Sequence, residues 1–452
     1  MSSFPNRCRG RQFSGPMEPW HVLRHEGGRH DFLDRLHRLA TQVGQGKTPM
    51  AAAASALARC VSDTNFLRLA WDHLQRHGGE APGPDGWRYS DFTEHGVRGI
   101  CRQLRDDLRG GDYEPGPERV VHISKGPHRG KRPLALQSIF DRVVQRSCFT
   151  VLDPFLDPLF SDHSLGFRRR RGRFDALALA EWYFEVEGRA FWVTADVKDA
   201  FLNVPLSQLL QIVKKYLIDD TLVELVGRLV GGSKTSGLRQ GGSLSPLLLN
   251  LYLHHHLDRK WKKKHPDIPL IRVADDLLLC CKTRSEAKQA RAELAKFLLP
   301  AGMKLKGDEQ ADIRAMTKNE PAEWLGFRIT RTKQNRLRVR IAEKAWDRLP
   351  KKLYLMHEKP DSPLRAGEMI LAWLNEMGPC YKHENYEEVY ARIIATAQEL
   401  AFDELPAFEV VKERWQRAYA LWRRLRHGRR IYLANPTPPP PAAGAEADVS
   451  ET

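Results

Sequence analysis

The chain has 452 residues, with 72 Lys and Arg against 56 Asp and Glu, a formal net charge of +16. That length suits two or three domains with a sizeable core, and the basic excess implies an anionic polymer, nucleic acid first, as partner. No apolar run reaches transmembrane length and the opening MSSFPNRCRGRQFSG lacks the hydrophobic segment of a signal peptide, so a cytoplasmic location without a membrane partner is expected.

The first thirty or so residues are irregular and rich in Gly, Pro and Arg. Phe32, Leu33, Leu36, Leu39 and Ala40 then fall at helical spacing, with Asp31 as N-cap. Apolar spacing predicts helix from Ala51 to His77, a break at APGPDG (81–86), and helix again from about Asp91 to Leu108. Arg119 to Ile123 reads as strand, GPHRGKRP as a basic turn, and a long helical region follows through Leu134 to Phe160. SLGFRRRRGRFDAL leads into another helix and then the strand FWVTAD, 191–196. Further on, helix is predicted over 285–299, with short strands around Leu305 and over 324–329. Residues from about 340 to 432 are rich in Arg, Trp and Leu at helical spacing and suit a separate basic helical domain. The tail PTPPPPAAGAEADVSET has no hydrophobic period and is expected to be disordered.

The seven cysteines are scattered, with no C-x-x-C and no zinc spacing, and read as reduced thiols. His254, His255 and His256 are successive on a predicted helix and point in three directions, which favours a structural or solvated role over metal binding. Asp275 and Asp276 are different. They lie between LIRVA and LLLCC, and two adjacent carboxylates repel and are costly to desolvate, so strand-forming flanks make sense if something cationic sits against the pair. Strand signals make the segment a hairpin whose turn carries the acids. Asp196, ending its apolar strand, supplies a third carboxylate about eighty residues earlier. Such a set is what two divalent ions need to clamp a 3′-hydroxyl and a triphosphate for in-line displacement. Between these acids, GLRQGGSLSP is a glycine-rich approach to an apolar helix, where backbone can come close to a nucleotide.

DVKDAF, QGGSLSPLLLNLYL, VADD and WLGFRIT, in this order and at these separations, resemble the successive palm motifs of reverse transcriptases. The upstream segments LARCVSDTNFLRLAWDHLQRHGGEAPGPDGWRY and KRPLALQSIFDRVVQRSCFTVLDPFLDPLFSDHSLGFRRRRGRFDAL resemble the fingers of bacterial group II intron-type reverse transcriptases, over roughly 55–335 in all. The resemblance implies that Asp196, Asp275 and Asp276 are the catalytic and metal-binding triad for two Mg²⁺, with Mn²⁺ as an alternative. It implies that Phe201 gates the sugar of the incoming nucleotide, that Lys125 and Arg132 grip the triphosphate, and that Gln240 positions template and nucleotide. Leu325, Gly326 and Phe327 match the hairpin supporting the primer end. The run Arg168, Arg169, Arg170 and Arg171, beside SLGF, reads either as a solvated face or as a contact with template phosphates.

Three positions depart from the family pattern: Val273 stands where an aromatic is usual, Arg239 replaces a proline, and Glu309 stands near the place of a lysine, for which Lys304 or Lys306 would substitute. AWLNEMGPCYKHENYEEVY and LWRRLRHGRRIYL more loosely resemble the thumb and RNA-binding segment of intron maturases. There Arg423, Arg424, Arg426, Arg429 and Arg430 cluster with Trp415 and Trp422 as an expected RNA grip. No Cys/His endonuclease segment follows, which leaves room for recruitment to antiphage defence or a CRISPR locus, and QGGSLSP argues against a diversity-generating retroelement enzyme.

The expectation is therefore an α+β right-hand polymerase. A partly disordered N-terminal extension (1–54) precedes fingers and palm (55–335), a helical thumb or maturase-like domain (336–432) and a disordered tail (433–452). Its reaction would be RNA-directed DNA synthesis on an RNA template, from a DNA or RNA primer and dNTPs. The rivals are a non-catalytic, maturase-like RNA scaffold aiding intron splicing and a palm-fold nucleotidyl cyclase, the latter leaving the long fingers and basic thumb unexplained.

Overall fold

The structure is a computed structural model that describes residues 31–78, 81–124, 131–231, 236–239, 241–307, 312–357, 359 and 361–434. Its chain opens with helices α1 (Asp31–Gly44), α2 (Met50–Val61), α3 (Thr64–His77) and α4 (Glu94–Gly110). The continuous helix expected from Ala51 to His77 is two helices. Asp63 accepts a hydrogen bond from the Asn65 amide at 2.8 Å and so caps α3, which a residue inside one longer helix could not do.

Strands β1 (Arg119–Ser124) and β2 (Lys131–Leu136) pair antiparallel, with Arg119 opposite Leu136. The helix expected from Leu134 therefore starts later, as α5 (Ile139–Leu156), where Ser138 caps the Asp141 amide at 3.0 Å. Pairing with β1 decides the fate of residues 134–136, a tertiary effect that local spacing does not carry.

Next come α6 (Arg173–Glu185), β3 (Phe191–Asp196), α7 (Leu206–Leu217), α8 (Asp220–Gly231) and α9 (Ser245–Leu253). A π-turn at His254–Asp258 joins α9 to α10 (Arg259–Lys264). The three histidines sit in this turn, and burial holds each well below its ordinary value, to about 4, so they are neutral packing groups.

β4 (Leu270–Val273), β5 (Asp276–Cys281), α11 (Arg284–Leu298) and β6 (Ile313–Ala315) complete a four-stranded antiparallel sheet of order β4-β5-β3-β6. The short strand expected around Leu305 is a single bridge to Val197. Both sheet faces are covered, which is why β3 and β5 read as near-continuous apolar runs. Val193, Ala195, Leu277 and Leu279 pack with the helices from α1 to α5 and α7 to α11, and Trp192, Ile271, Leu278 and Cys280 pack with α6 and the C-terminal part.

That C-terminal part begins with a three-stranded sheet, β7 (Ala322–Trp324), β8 (Phe327–Arg331) and β9 (Leu337–Ile341). It continues as α12 (Glu343–Trp346), α13 (Leu349–Tyr354), α14 (Ser362–Glu376), α15 (Tyr386–Gln398) and α16 (Phe408–Ala434). β9 pairs with β8, so this sheet runs across residue 335, and α6 shares one apolar cluster with α14 to α16. At the other end, Leu33, Leu36 and Ala53 belong to the first cluster, so α1 and the start of α2 are built into the helical layer around α5. No described helix is long and apolar enough to cross a membrane.

Candidate active site

Asp196 is the last residue of β3 and lies directly opposite Asp276, the first residue of β5. Val273 pairs with Asp276, closing a two-residue turn of Ala274 and Asp275. The Val197 amide donates to the Asp275 carbonyl at 3.0 Å, so the backbone ties the third acid to the other two. Like charges directly opposite on adjacent strands are destabilising, and here a third stands beside them. Burial first, then the charge of Asp196, raises the Asp275 carboxyl above its ordinary value. Burial, with Asp196 and Asp275 adding to it, pushes the Asp276 carboxyl up to about 7. These are carboxylates short of countercharge. Lys306 provides part of it: its ammonium bonds Asp196 Oδ1, and its amide donates to the Asp196 carbonyl at 2.8 Å.

The turn is held from behind. Ala274 is left-handed, with φ of 60°, at a turn position where glycine is usual. Its carbonyl accepts from the guanidinium of Arg272 at 3.1 Å. Arg272 is fully buried; it makes two bonds to the Asp258 carboxylate, at 3.0 and 2.7 Å, and one to Asn250 Oδ1 at 2.8 Å. Asn250 in turn donates to the Gly166 carbonyl at 2.8 Å. The SLGF loop lies along β4, with the Leu165 amide 2.7 Å from the Arg272 carbonyl. A Cβ at Gly166 would fall 2.1 Å from the Ala274 nitrogen, so only glycine permits this approach to the acidic turn. Sequence reasoning missed Arg272, Asp258 and Asn250. The signal was an arginine inside LIRVADD, since a charge in a buried strand requires a partner.

Phe201 is half-buried just beyond Asp196 and meets Phe167 edge-on at 6.0 Å between centroids. Its carbonyl accepts from the Leu238 amide at 2.7 Å, so the glycine-rich segment is stitched to the turn that follows β3. Arg239 is buried and ion-paired with Glu118. At Gly242 a Cβ would come 2.4 Å from Oε1 at the tip of Gln145 of α5, so a side chain there would have to displace that amide. Gln240, Lys125 and Glu309 lie outside the described residues, and so does the side chain of Arg132, whose backbone in β2 faces Ile123.

Leu325 and Gly326 form a tight turn between β7 and β8, both left-handed at φ of 53° and 84°, as a two-residue hairpin turn requires. Phe327 is fully buried, with the Arg173 guanidinium 5.1 Å from its ring centre, so it anchors the turn while Leu325 and Gly326 make the tip. Arg348, an exposed residue at the start of α13 that carries no distinguishing pattern in sequence, is near enough to Asp276 to favour its ionised form.

The arginine runs require correction. Arg168 is buried, and all five of its N–H groups are spent: on both carboxylate oxygens and the carbonyl of Asp157 and on the carbonyls of Ser161 and Ser164. Arg169 pairs with Asp153 at 2.9 Å and Arg171 with Asp162 at 2.8 Å, leaving Arg170 as the most exposed of the four. In α16, Arg426 pairs with Glu181, Arg429 with Asp175 at 2.7 Å and Arg430 with Glu185 at 2.5 Å. These three dock α16 on α6, and Trp415 and Trp422 are core. Arg423 and Arg424 remain on the solvent side.

Among the described residues, no group of three or more His, Cys, Asp or Glu side chains stands arranged to hold a metal ion. The donors of Asp196, Asp275 and Asp276 are all oxygen, as a hard cation prefers, and Asp275 and Asp276 hold protons more tightly than free carboxylates because burial, with the neighbouring carboxylates adding to it, penalises their charged forms.

Residues 123–329 match the protein family described as "Reverse transcriptase (RNA-dependent DNA polymerase)". Group II intron-encoded protein LtrA of Lactococcus lactis is 30% identical over 191 residues, covering 39% of this chain and 31% of that protein. Protein YkfC of Escherichia coli is 27% identical over 278 residues, 52% of this chain and 72% of YkfC. A COX1/OXI3 intron 1 protein of Saccharomyces cerevisiae is 23% identical over 296 residues, 52% of this chain and 35% of that protein. The chain thus spans about a third of the length of the Lactococcus and yeast relatives.

Proposed function

We propose, from the premise that this chain carries a reverse transcriptase domain of the group II intron-encoded type, that it copies an RNA template into DNA from dNTPs, extending a DNA or RNA primer. The observation that carries the reading is the convergence of Asp196, Asp275 and Asp276 at one end of β3 and β5, in register and short of countercharge. Residues 55–335 then serve as fingers and palm and the helices from α12 onward as thumb, in a right-hand polymerase. Asp196 and Asp275 would hold two Mg²⁺, or Mn²⁺, most directly, with Asp276 assisting. Such ions, when bound, activate the attacking 3′-hydroxyl and neutralise charge on the triphosphate.

The protein's own side chains do the rest. Lys306 supplies charge to Asp196, and Arg272 with Asp258 holds the acidic turn against β4. Phe201, braced by Phe167, excludes a 2′-hydroxyl by collision, and Lys125, Arg132 and Gln240 contact the nucleotide and template. Extension of a DNA primer annealed to RNA by the purified chain tests the reading. Synthesis that requires a divalent cation supports it; RNA binding without incorporation in Mg²⁺ or Mn²⁺ would leave the maturase-like scaffold instead.

Two further outcomes are expected. Phe201→Ala should shift the ratio of kcat/KM for matched deoxy- and ribonucleotides toward the ribonucleotide by roughly 10- to 100-fold. An unchanged ratio in the folded variant would make Phe201 plain packing. Replacing Arg426, Arg429 and Arg430 with Gln should strip the carboxylates of α6 of their partners and cost roughly 2–4 kcal/mol in denaturant unfolding. By contrast, Arg423→Gln with Arg424→Gln should leave unfolding unchanged and flatten the salt dependence of RNA binding by up to about two units.

A further inference from the structure

From Arg328 to Arg340 the sequence RITRTKQNRLRVR holds six Lys and Arg and no Asp or Glu. The β7-β8-β9 sheet sorts this run by face. Ile329, Leu337, Val339 and Ile341 point inward to the apolar cluster that also contains Trp192 and Leu278 of the four-stranded sheet. The alternate residues point the other way, to solvent and away from that sheet.

On this outer face Arg328 lies directly opposite Arg340, and Thr330 opposite Arg338. Arg328, Arg338 and Arg340 are all exposed. Two like charges in direct cross-strand register oppose sheet formation. Their charge is offset only in part: Glu323, across from Arg328, is 3.4 Å from Lys344, Glu343 is near enough to Arg328 to feel its charge, and Arg340 donates to the His383 carbonyl at 3.0 Å and reaches Glu384 at 4.0 Å. Among the described residues no ion pair engages Arg328 or Arg338. Arg338 and Arg340 are two residues apart on one strand, about 7 Å, and Arg328 stands about 5 Å from Arg340 across the ladder. The ladder sets the backbone spacing of three arginines whose planar forks suit phosphate oxygens.

We propose that the outer face of β7-β8-β9 binds the phosphate backbone of a helical, folded segment of RNA outside the catalytic cleft. The outer positions Glu323, Arg328, Thr330, Arg338 and Arg340 include no aromatic ring on which an unpaired base could stack, which favours backbone recognition of a helix over a single strand. The face also points away from the sheet that carries the acids, so its occupant is distinct from the primer end. The choice of RNA rests on the proposed function above.

The test is binding of the full chain to a blunt RNA hairpin that offers no primer, read by titration over a range of salt without synthesis. Arg328→Gln, Arg338→Gln and Arg340→Gln together should weaken binding by about tenfold or more. They should also reduce the slope of log affinity against log salt by about two to three. The corresponding three Lys substitutions should keep the slope, and the Arg328→Gln, Arg338→Gln pair, which leaves the Arg340 contact with His383 intact, should give about two thirds of the effect. Extension of a short pre-annealed primer should stay within about twofold of wild type. Hairpin affinity and slope unchanged in the triple variant would overturn the proposal. So would a parallel loss of short-primer extension, because the face would then hold the product duplex. Hairpin binding is read without catalysis, so failure of the polymerase reading alone cannot mimic an unchanged hairpin affinity and slope.

Discussion

Asp196→Asn is expected to abolish divalent-cation-dependent DNA synthesis, by on the order of a thousandfold or more, equivalent to about 4 kcal/mol of lost transition-state stabilisation. Asp275→Asn combined with Asp276→Asn should do the same. The physical signature lies in the accompanying stability. The three carboxylates repel, and burial has already pushed Asp276 up to about 7. An amide of the same shape removes charge without removing volume, so without metal the Asp275→Asn, Asp276→Asn variant should unfold at the same denaturant concentration as wild type or a higher one, while Asp196→Asn also gives up its bond to the half-exposed Lys306 and should lose no more than about 1 kcal/mol. Structural acids would behave oppositely, since losing a satisfied carboxylate destabilises. Single-turnover extension and denaturant unfolding on the same preparations separate the cases: synthesis that survives, or activity lost together with the fold, would remove these acids from the chemistry.

The acids were legible because chemistry forces an unusual pattern on sequence: adjacent carboxylates inside a strand-forming run cost stability unless a cation meets them. The glycine-rich segment was legible for a similar reason, and Gly242 meets the tip of Gln145 closely. What stayed hidden depends on contacts between distant residues. Residues 134–136 have helical spacing, but β1 claims them as strand. Arg426, Arg429 and Arg430 look like a surface cluster until α6, some 245 residues earlier, meets them with Asp175, Glu181 and Glu185. A basic run in sequence reports charge and not whether that charge is spent. The same blindness applied to Arg272, whose partners Asn250 and Asp258 lie on the preceding helix and π-turn.

Arg272 should be the most costly side chain to remove among the groups that hold the site without touching substrate. Arg272→Met leaves the Asp258 carboxylate buried and uncompensated, and Asp258→Leu does the converse to the guanidinium; each is expected to cost about 3–5 kcal/mol of folding stability. The double variant Arg272→Met, Asp258→Leu removes both charges and should recover much of that loss, costing less than either single variant, which is a coupling of more than about 3 kcal/mol in a double-mutant cycle. Its activity should not recover. The apolar pair cannot donate to the Ala274 carbonyl, so the turn carrying Asp275 loses the bond that supports its left-handed residue, and misplacing catalytic groups by about 1 Å can cost on the order of a hundredfold in rate. Denaturant unfolding of the four proteins and single-turnover extension at saturating nucleotide provide the readouts. If the double variant regains both stability and rate, the pair is only a packing device; if the single variants lose under about 1 kcal/mol, the ion pair does not hold the turn.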